Sequence, residues 1–324
     1  MLSAKHKLFL YPLVITVVVF LAFFPSLDNA FVNWDDPVYL EGNPTIQSLS
    51  PANIKMMFTG FVNGNYHPLT MFTFALEHSW AGFNPKIYHL TNLLLHLANV
   101  NLAFIFIFLM TGNLFVAGLT ALLFGIHPMR VESVAWVTER KDVLFVFFYL
   151  AGLILYQRYL SSALSQKRLI FYSIIMILFI LSVLSKPSAV TFPLALLLLD
   201  YWGARKFDKY VLLEKIPFFI ISAFFVFIAF YANATPFTSH LPPPLQFHFT
   251  ERILLVGHAI GLYLTKLIWP FKLSAYYSYP GKINGHLPVY CYFSAFIVFL
   301  IIFSAFRYVH KYNCLLYTSP SPRD

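Results

Sequence analysis

Charged residues are scarce in this sequence: Asp, Glu, Lys and Arg together make up 11% of its 324 residues, while 59% are hydrophobic. A soluble domain normally carries about 25% charged residues, because it has to cover a water-facing surface. Apolar runs of about 20 residues recur along the chain, and each can cross a bilayer core of about 30 Å as a helix. The composition therefore excludes an ordinary soluble domain and predicts an all-α polytopic membrane protein.

Cysteine is equally scarce. Cys291 and Cys314 match no metal-ligand spacing and give no disulfide framework. The formal net charge of +9 is not organised as a basic stripe, so nucleic acid is not expected as a partner. A topological bias, with Lys and Arg concentrated on the cytoplasmic side of a membrane, explains the charge better.

The apolar runs predict eight membrane spans, and the first is interpreted as a retained signal anchor because no small-residue cleavage site follows it. Residues 251–270 have the length of a ninth span, but they contain Glu251, Arg252, His258 and Lys266, so nine spans is the alternative. The eight predicted spans are at about 8–27, 88–110, 114–127, 143–160, 169–185, 188–203, 215–233 and 288–306.

Charge bias sets the predicted orientation. With a cytoplasmic N-terminus and eight spans, the cytoplasmic segments contain eleven Lys or Arg residues against three Asp or Glu residues. Residues 28–87, 128–142 and 234–287 are then external. Within the long first external loop, 50–61 and 69–83 have the apolar spacing of short amphipathic helices at the membrane interface.

An acidic pair, Asp35 and Asp36, lies in FVNWDDPVYLEGNP (31–44), directly after the first predicted span. Adjacent carboxylates at a membrane surface are costly unless they are solvated, paired or used. One can act as general base towards an acceptor hydroxyl while the other orients it or binds a divalent cation. A solvated turn before Pro37 is the alternative. Asp36 is slightly favoured as the base, because Pro37 fixes the turn behind it.

A second candidate segment, GIHPMRVESVAWVTERKDVLF (125–145), places Arg140 and Lys141 on the external side, against the positive-inside trend. This position favours an anionic partner, and phosphate fits because a guanidinium group binds it in a bidentate manner. Local salt bridging among Glu132, Glu139, Arg140 and Asp142 is the alternative. The predicted substrate- or phosphate-binding residues are His127, Arg130, Glu132, Arg140, Lys141, Asp142 and Lys186.

A polar helix face is predicted where the second span begins. His89, Asn92, His96 and Asn99 are spaced by three, four and three residues, which places them on one side of a helix. Polar groups in a span normally face the protein interior, where they form interhelical hydrogen bonds, or a wet cavity. A zinc site from His89 and His96 is not expected, because they lie two helical turns apart.

Six segments taken together and in order resemble the transmembrane half of the TMTC-type proteins, which are membrane O-mannosyltransferase-like proteins with tetratricopeptide repeats, and their bacterial relatives. The resemblance covers about residues 28–285. Its motifs are WDD (34–36), YHPLT (66–70), YHLTNLLLH (88–96), HPMRVESVAWVTERKDVL (127–144), LSKPSAVTFPLALLLLDYW (184–202) and GLYLTKLIWPFKLSAYYSYP (261–280).

Such proteins are similar to GT-C glycosyltransferases, which take a sugar from a polyprenyl- or dolichyl-phosphate carrier. The resemblance implies that a sugar, expected to be mannose, is transferred outside the membrane to a hydroxyl group, expected to be a Ser or Thr of a protein, with a lipid or a glycan as alternative acceptors. It also implies that the catalytic base is Asp35 or Asp36 and that residues 127–142 lie beside the carrier phosphate. The expected location is a bacterial inner membrane, with the endoplasmic reticulum membrane as the alternative.

The expected organisation is one GT-C-like domain over residues 1–310, with a truncated or foreign tail at 311–324. The family's tetratricopeptide array is missing from the sequence. A transporter is the main rival interpretation, but internal repeats and interrupted midplane helices, which are typical of transporters, are not visible. A non-catalytic membrane scaffold is a third interpretation. Beyond a divalent cation at the acidic pair, no cofactor is predicted.

Overall fold

A computed structural model describes residues 4–162, 164–234, 247–274, 276–283 and 285–311. The chain divides into two compact units, Met1–Phe237 and Thr238–Asp324, which together cover the predicted domain at 1–310. Over the described residues the secondary structure is helical, and the only β-type pairings there are two isolated bridges. The predicted all-α class is therefore confirmed. Of the predicted tail, only Lys311 lies within the described residues.

The described part of the first unit contains ten α-helices joined by short 3₁₀ and π turns. The helices are α1 (Ala4–Phe23), α2 (Pro51–Thr59), α3 (Pro68–Ala81), α4 (Pro85–Thr111), α5 (Leu114–Ile126), α6 (Val131–Ala135), α7 (Arg140–Ser161), α8 (Ser165–Ser185), α9 (Phe192–Trp202) and α10 (Lys209–Ala234).

Length and apolar composition identify the helices that can cross a membrane. Among the residues that the structure describes, five segments qualify on their own, and they contain most of α1, α4, α7, α8 and α10. A sixth arises if α5 and the following segment Pro128–Ala135, bent by 55°, form one span. Pro187–Trp202 and Val289–Ala305 are apolar but shorter. The chain is thus a multi-pass membrane protein, and the count of eight spans stays a prediction.

The first predicted external loop folds as a layer of short helices. The predicted helices at 50–61 and 69–83 are confirmed as α2 and α3. Ser50 caps α2 by accepting a hydrogen bond from the Asn53 amide at 3.3 Å. Gly82, with φ of +57°, ends α3 in a conformation that glycine adopts without strain. Apolar side chains of this layer form their own core, which includes Tyr39, Leu40, Ile46, Met57, Met71 and Phe74.

The helix bundle beneath this layer has two apolar cores, one formed mainly by α1, α4 and α5 and the other by α7 to α10. Gly125 shows how closely the first group packs. A Cβ atom at that position would lie 2.5 Å from Val19 Cγ2 and 3.1 Å from Val100 Cγ2. Small residues allow such close approach of membrane helices. Thr70 of α3 donates a hydrogen bond to the Ser185 carbonyl at 3.0 Å, which holds the loop layer against the end of α8.

A buried charge network joins α7, α9 and α10. Lys215 pairs with Asp200 at 2.9 Å, and Arg205 pairs with Glu214 at 2.6 Å. The Tyr156 hydroxyl donates to Asp200 at 2.7 Å. Asp200, Lys215 and Tyr156 are almost fully buried, so opposite charges have to be matched there. The network lies where the sequence predicts cytoplasmic helix ends.

The second unit contains α11 (Phe249–Ile268) and α12 (Val289–Lys311). Gly257 lies against Ala295 and Gly261 against Val298, so the two helices run in the same direction. His258 Nδ1 lies 2.8 Å from Ser294 Oγ at this contact. Consecutive spans joined directly run in opposite directions, so the parallel arrangement agrees with the interpretation in which α11 does not cross the membrane.

Candidate functional site

Three segments that the sequence places outside the membrane meet at one end of the first unit. The Trp136 indole Nε1 donates a hydrogen bond to Asp36 Oδ1 at 3.0 Å, which joins the acidic pair to the 125–145 segment. Lys186, between α8 and α9, forms an ion pair with Asp142 of the same segment. The candidate site is therefore assembled from residues far apart in the sequence.

Asp36 is built into the loop layer. It is 1% exposed, and each of its carboxylate oxygens accepts a hydrogen bond. Oδ2 accepts from the Val32 amide at 2.8 Å, while Oδ1 accepts from Trp136. These bonds fix the turn that leads into the π-helical segment Pro37–Glu41. Asp36 therefore holds the turn in place and is closed to an incoming substrate.

Asp35 lies beside it in a different environment. It is half-buried, and its Oδ1 accepts a hydrogen bond from Asn63 Nδ2 at 3.2 Å. Its carbonyl accepts from the Val38 and Tyr39 amides, each at 3.0 Å, so its backbone is rigid. Within the described residues, its Oδ2 has no hydrogen-bond partner. Of the two carboxylates, Asp35 is therefore the one with an oxygen free of protein hydrogen bonds, whereas the sequence slightly favours Asp36 as the base.

The tyrosine next to this carboxylate is kept protonated. Burial, with Asp35 and Glu139 nearby, raises the pKa of Tyr39 well above its usual range. Asn65 Nδ2 donates to the Tyr39 hydroxyl at 3.3 Å. The Tyr39 ring stacks on His67 with 5.1 Å between centroids.

His67 is buried and neutral. It is 3% exposed, and its Nε2 has no hydrogen-bond partner within the described residues. Burial and the nearby Lys141 and Lys186 ammonium groups lower the pKa of His67 to about 3. The ring is therefore uncharged at physiological pH.

Arg140 occupies the interior of the unit. It is 0% exposed, and its three guanidinium nitrogens each bind a protein acceptor. Nε donates to Asn92 Oδ1 at 2.8 Å, NH2 to the Tyr88 carbonyl at 2.8 Å, and NH1 pairs with Glu77. The prediction that Arg140 binds a carrier phosphate does not agree with this position, because the buried charge is already matched by Glu77. We assign Arg140 a structural role.

The remaining charges of the segment form salt bridges, as in the alternative interpretation of the sequence, but with different cations. Lys141 pairs with Glu139 at 2.8 Å, and Lys186 lies 3.7 Å from Glu139 in addition to pairing with Asp142. Glu132, an expected member of these pairs, is exposed. Lys141 and Lys186 are therefore engaged by carboxylates rather than free to bind an anion.

Arg130 is the basic residue of the segment that remains available. It is half-buried and forms no ion pair within the described residues, and its guanidinium carbon lies 5.1 Å from the centre of the Phe124 ring. It lines a cavity of about 180 Å³ between α4, α5, α7 and the turn after α8. The cavity is lined by His96, Asn99, Phe124, Arg130, Ser133, Asp142, Val143, Phe145, Val146 and Ser188. Asp142 is shared between this cavity and the ion pair with Lys186.

His127 shapes the approach to Arg130. Its Nδ1 accepts a hydrogen bond from the Met129 amide at 3.3 Å, at the bend between α5 and the turn Pro128–Arg130. The side chain is half-buried. This contact gives His127 a role in the bend, which positions Arg130.

The polar face of α4 is turned into the protein. His89, Asn92, His96 and Asn99 are all buried. Asn92 Nδ2 donates to the Trp136 carbonyl at 3.1 Å, and His96 Nε2 lies 2.9 Å from the Gly125 carbonyl. The interhelical hydrogen bonding expected for this face is thus present, and His96 and Asn99 also reach the cavity. Within the described ranges, no group of three or more His, Cys, Asp or Glu side chains is placed to hold a metal ion.

Sequence reasoning missed four contributors to this end of the protein: Tyr39, Asn63, His67 and Glu77. Asn63, with φ of +50°, and Asn65 frame a tight turn, VNGN, that looks like an ordinary loop in the sequence. His67 lies in the YHPLT motif, to which the sequence alone assigns no role. Glu77 is a single acid within an otherwise apolar helix, and such an acid, when buried, needs a cationic or hydrogen-bonding partner.

Comparison with known proteins agrees with the resemblance seen in the motifs. No family model matches the chain, and no solved structure shows significant similarity to it. The human protein O-mannosyl-transferase TMTC2 is 36% identical over 98 residues, which are 30% of this chain and 12% of that protein. Human TMTC1 is 31% identical over 146 residues, covering 42% of this chain and 16% of the relative. Mouse TMTC4 is 29% identical over 167 residues, covering 44% and 22%.

The matched segments therefore span less than a quarter of the length of these curated relatives. Within that limit, the resemblance predicted from the ordered motifs is confirmed: the chain is a multi-pass membrane protein similar to the TMTC protein O-mannosyl-transferases.

Proposed function

We propose that this protein transfers mannose from a polyprenyl- or dolichyl-phosphate carrier to a Ser or Thr hydroxyl of an acceptor protein, on the external side of the membrane. The observation that supports this most directly is the different hydrogen bonding of Asp35 and Asp36. Two hydrogen bonds hold the Asp36 carboxylate in the turn, while one carboxylate oxygen of Asp35 has no protein hydrogen bond within the described residues. A rigid turn that presents one free carboxylate suits a general base.

Asp35 is the proposed base. The acceptor oxygen attacks the anomeric carbon of the sugar, and its proton passes to Asp35 Oδ2. The bond between the anomeric carbon and the phosphate oxygen breaks, and the carrier phosphate leaves with the bonding electron pair. Asn63, which donates to Oδ1, holds the carboxylate in orientation, and Asp36 positions the turn without touching the substrate.

The carrier phosphate is proposed to bind at Arg130. This side chain is a half-buried cation that forms no ion pair within the described residues. The Asp142 carboxylate favours its charge from across the cavity but is already paired with Lys186, so Arg130 can take an anionic ligand. Lys186 lies close by but already neutralises Asp142, so it adds to the local positive field rather than acting as the main ligand.

The test is transfer by purified protein from a panel of polyprenyl-phosphate sugars to a Ser/Thr-containing peptide. Mannose transfer that is lost in Asp35→Asn, with the variant still folded, is the expected result. Transfer from no donor would show that the protein is a non-catalytic scaffold or a transporter. Full transfer activity in both Asp35→Asn and Asp36→Asn would show that neither carboxylate is the base and that the turn is structural. The proposed external face is the periplasm of a bacterium or, in the alternative location, the lumen of the endoplasmic reticulum.

A further inference from the structure

The cavity beside Arg130 has an interior that a phosphate contact leaves unexplained. Its volume is about 180 Å³. One water occupies about 30 Å³ in the liquid, so the cavity is large enough for one compact polar ligand. Two residues of its wall, His96 and Asn99 of α4, are polar and each 1% exposed. Buried polar groups of this kind require hydrogen-bond partners.

Asn99, whose side chain borders the cavity, carries an unpaired acceptor. Its Nδ2 donates to the Val143 carbonyl at 2.7 Å. Since a carbonyl only accepts, this bond fixes which way the amide is turned. Oδ1 is then an acceptor, and it is buried with no hydrogen-bond partner within the described residues. A buried acceptor without a partner destabilises a fold unless a ligand or water completes it.

Two further polar side chains of the wall, His96 and Asp142, carry acceptors. His96 Nε2 lies 2.9 Å from the Gly125 carbonyl. It must carry a hydrogen to bond with that carbonyl, so Nδ1 of the neutral ring accepts. Asp142 Oδ2 accepts from the Ser133 hydroxyl at 3.0 Å. The acceptors of Asn99, His96 and Asp142, together with the Arg130 cation, match a ligand that carries hydroxyl donors next to an anionic group.

We propose that this cavity binds the sugar of the lipid-linked donor. Sugar hydroxyls donate to Asn99 Oδ1 and to the neighbouring acceptors, and the phosphate lies beside Arg130. The inference rests on the proposed function and adds to it the residues that recognise the transferred sugar.

The test compares the binding of two lipids, polyprenyl-phosphate mannose and polyprenyl phosphate, to purified protein in detergent. Asn99→Ala should weaken binding of the mannosyl lipid by about 2- to 10-fold, the effect of one net hydrogen bond, and leave binding of polyprenyl phosphate unchanged. Arg130→Gln should weaken binding of both. Asn101→Ala is the matched control, because Asn101 lies on the same helix, bonds Thr16 Oγ1 at 2.9 Å and is outside the cavity wall.

A second measurement uses the unaltered protein, so it does not depend on a variant folding. Among mannosyl lipids that each lack one hydroxyl, at least one should bind more weakly than the parent. Equal binding of all of them, or of the mannosyl lipid to Asn99→Ala and the unaltered protein, would overturn the sugar site. If Arg130→Gln still weakens both lipids in that case, the proposed donor stands. If the unaltered protein binds neither phosphate lipid better than a neutral polyprenol, the proposed function itself fails.

Discussion

Trp136 donates its indole N–H to Asp36 across 100 positions of sequence, and this bond couples the acidic turn to the segment that leads into α7. Trp136 also lies against Trp34, with 5.8 Å between ring centroids. The other carboxylate oxygen of Asp36 accepts a hydrogen bond from the Val32 amide, so both oxygens help to fix the turn. Substitutions of Asp35 and Asp36 are therefore expected to have different effects on activity and stability.

Asp35→Asn should abolish most transfer while the fold is kept. Asparagine retains an oxygen to accept from Asn63 but cannot take up a proton, and positioned general bases contribute about 10²–10⁴-fold to rate. We expect kcat to fall by about that factor with the melting temperature unchanged. Steady-state kinetics and thermal unfolding in detergent measure the two effects.

Asp36→Asn should lower stability and activity together. Its amide would turn an N–H group towards the Val32 N–H or the Trp136 indole, which leaves a buried donor unpaired at a cost of roughly 1–3 kcal/mol. Trp136→Phe is the matched control, because it removes one of the same bonds without touching either carboxylate. A melting temperature of Asp36→Asn equal to that of the unaltered protein would contradict the structural role of the two Asp36 hydrogen bonds.

Substitution of Arg130 should affect donor binding, whereas substitution of Arg140 should affect stability. Arg130→Gln removes a cation that has no ion-pair partner within the described residues, so the KM for the lipid donor should rise with the fold kept. Arg140→Gln leaves Glu77 charged and unmatched in the interior. Breaking such a buried pair typically costs about 3–5 kcal/mol.

The double variant Arg140→Gln, Glu77→Gln should recover much of that stability, because no buried charge is then left alone. Chemical unfolding of the single and double variants measures the coupling between the two residues. A raised KM for Arg140→Gln without loss of stability would restore the phosphate role that the sequence predicts for it.

The sequence was a good guide to local structure. The apolar spacing of residues 50–61 and 69–83 predicted α2 and α3, because helical periodicity is set over a few residues. The spacing of His89, Asn92, His96 and Asn99 likewise predicted a shared face, since helix geometry alone decides it.

The sequence was a poor guide to which charged groups are free. Arg140 and Glu77 are 63 positions apart, and only the packing of α3 against α4 and α7 brings them together. Asp35 and Asp36 are neighbours in sequence, yet the turn directs one into the layer and leaves the other open. Arg130, unlike Arg140, has no ion-pair partner among the described residues, and this difference arises from tertiary contacts. Burial and pairing of charges depend on long-range contacts, which periodicity does not encode.

The predicted orientation is tested by cysteine accessibility. In a background with Cys291 and Cys314 changed to serine, single cysteines at Ser48, Ser161 and Ser278 should differ in labelling. Positions 48 and 278 should react with an impermeant thiol reagent added outside, and position 161 only after the membrane is opened. Labelling of 161 from outside would reverse the whole orientation. Protection of 278 would support nine spans.

His67 gives the protein a pH-dependent stability of predictable sign. Its pKa is lowered from 6.5 to about 3 in the folded protein, chiefly by burial. Below pH 6.5 the unfolded chain binds a proton at this position and the folded protein does not, so the free energy of unfolding falls as the pH falls. Between pH 7.5 and 5.5 this single group should remove roughly 1.4 kcal/mol.

His67→Phe keeps a ring to stack on Tyr39 and removes the titrating group, so the variant should lose less stability than the unaltered protein over the same range. Its stability at pH 7.5 should be little changed, because His67 Nε2 has no hydrogen-bond partner to lose within the described residues. His6→Phe, at an exposed position of α1, is the matched control and should behave as the unaltered protein does. Denaturant titrations in detergent at the two pH values measure the difference. An identical pH dependence in His67→Phe and the unaltered protein would mean that the pKa of His67 is the same in the folded and unfolded states, which would contradict the lowered pKa.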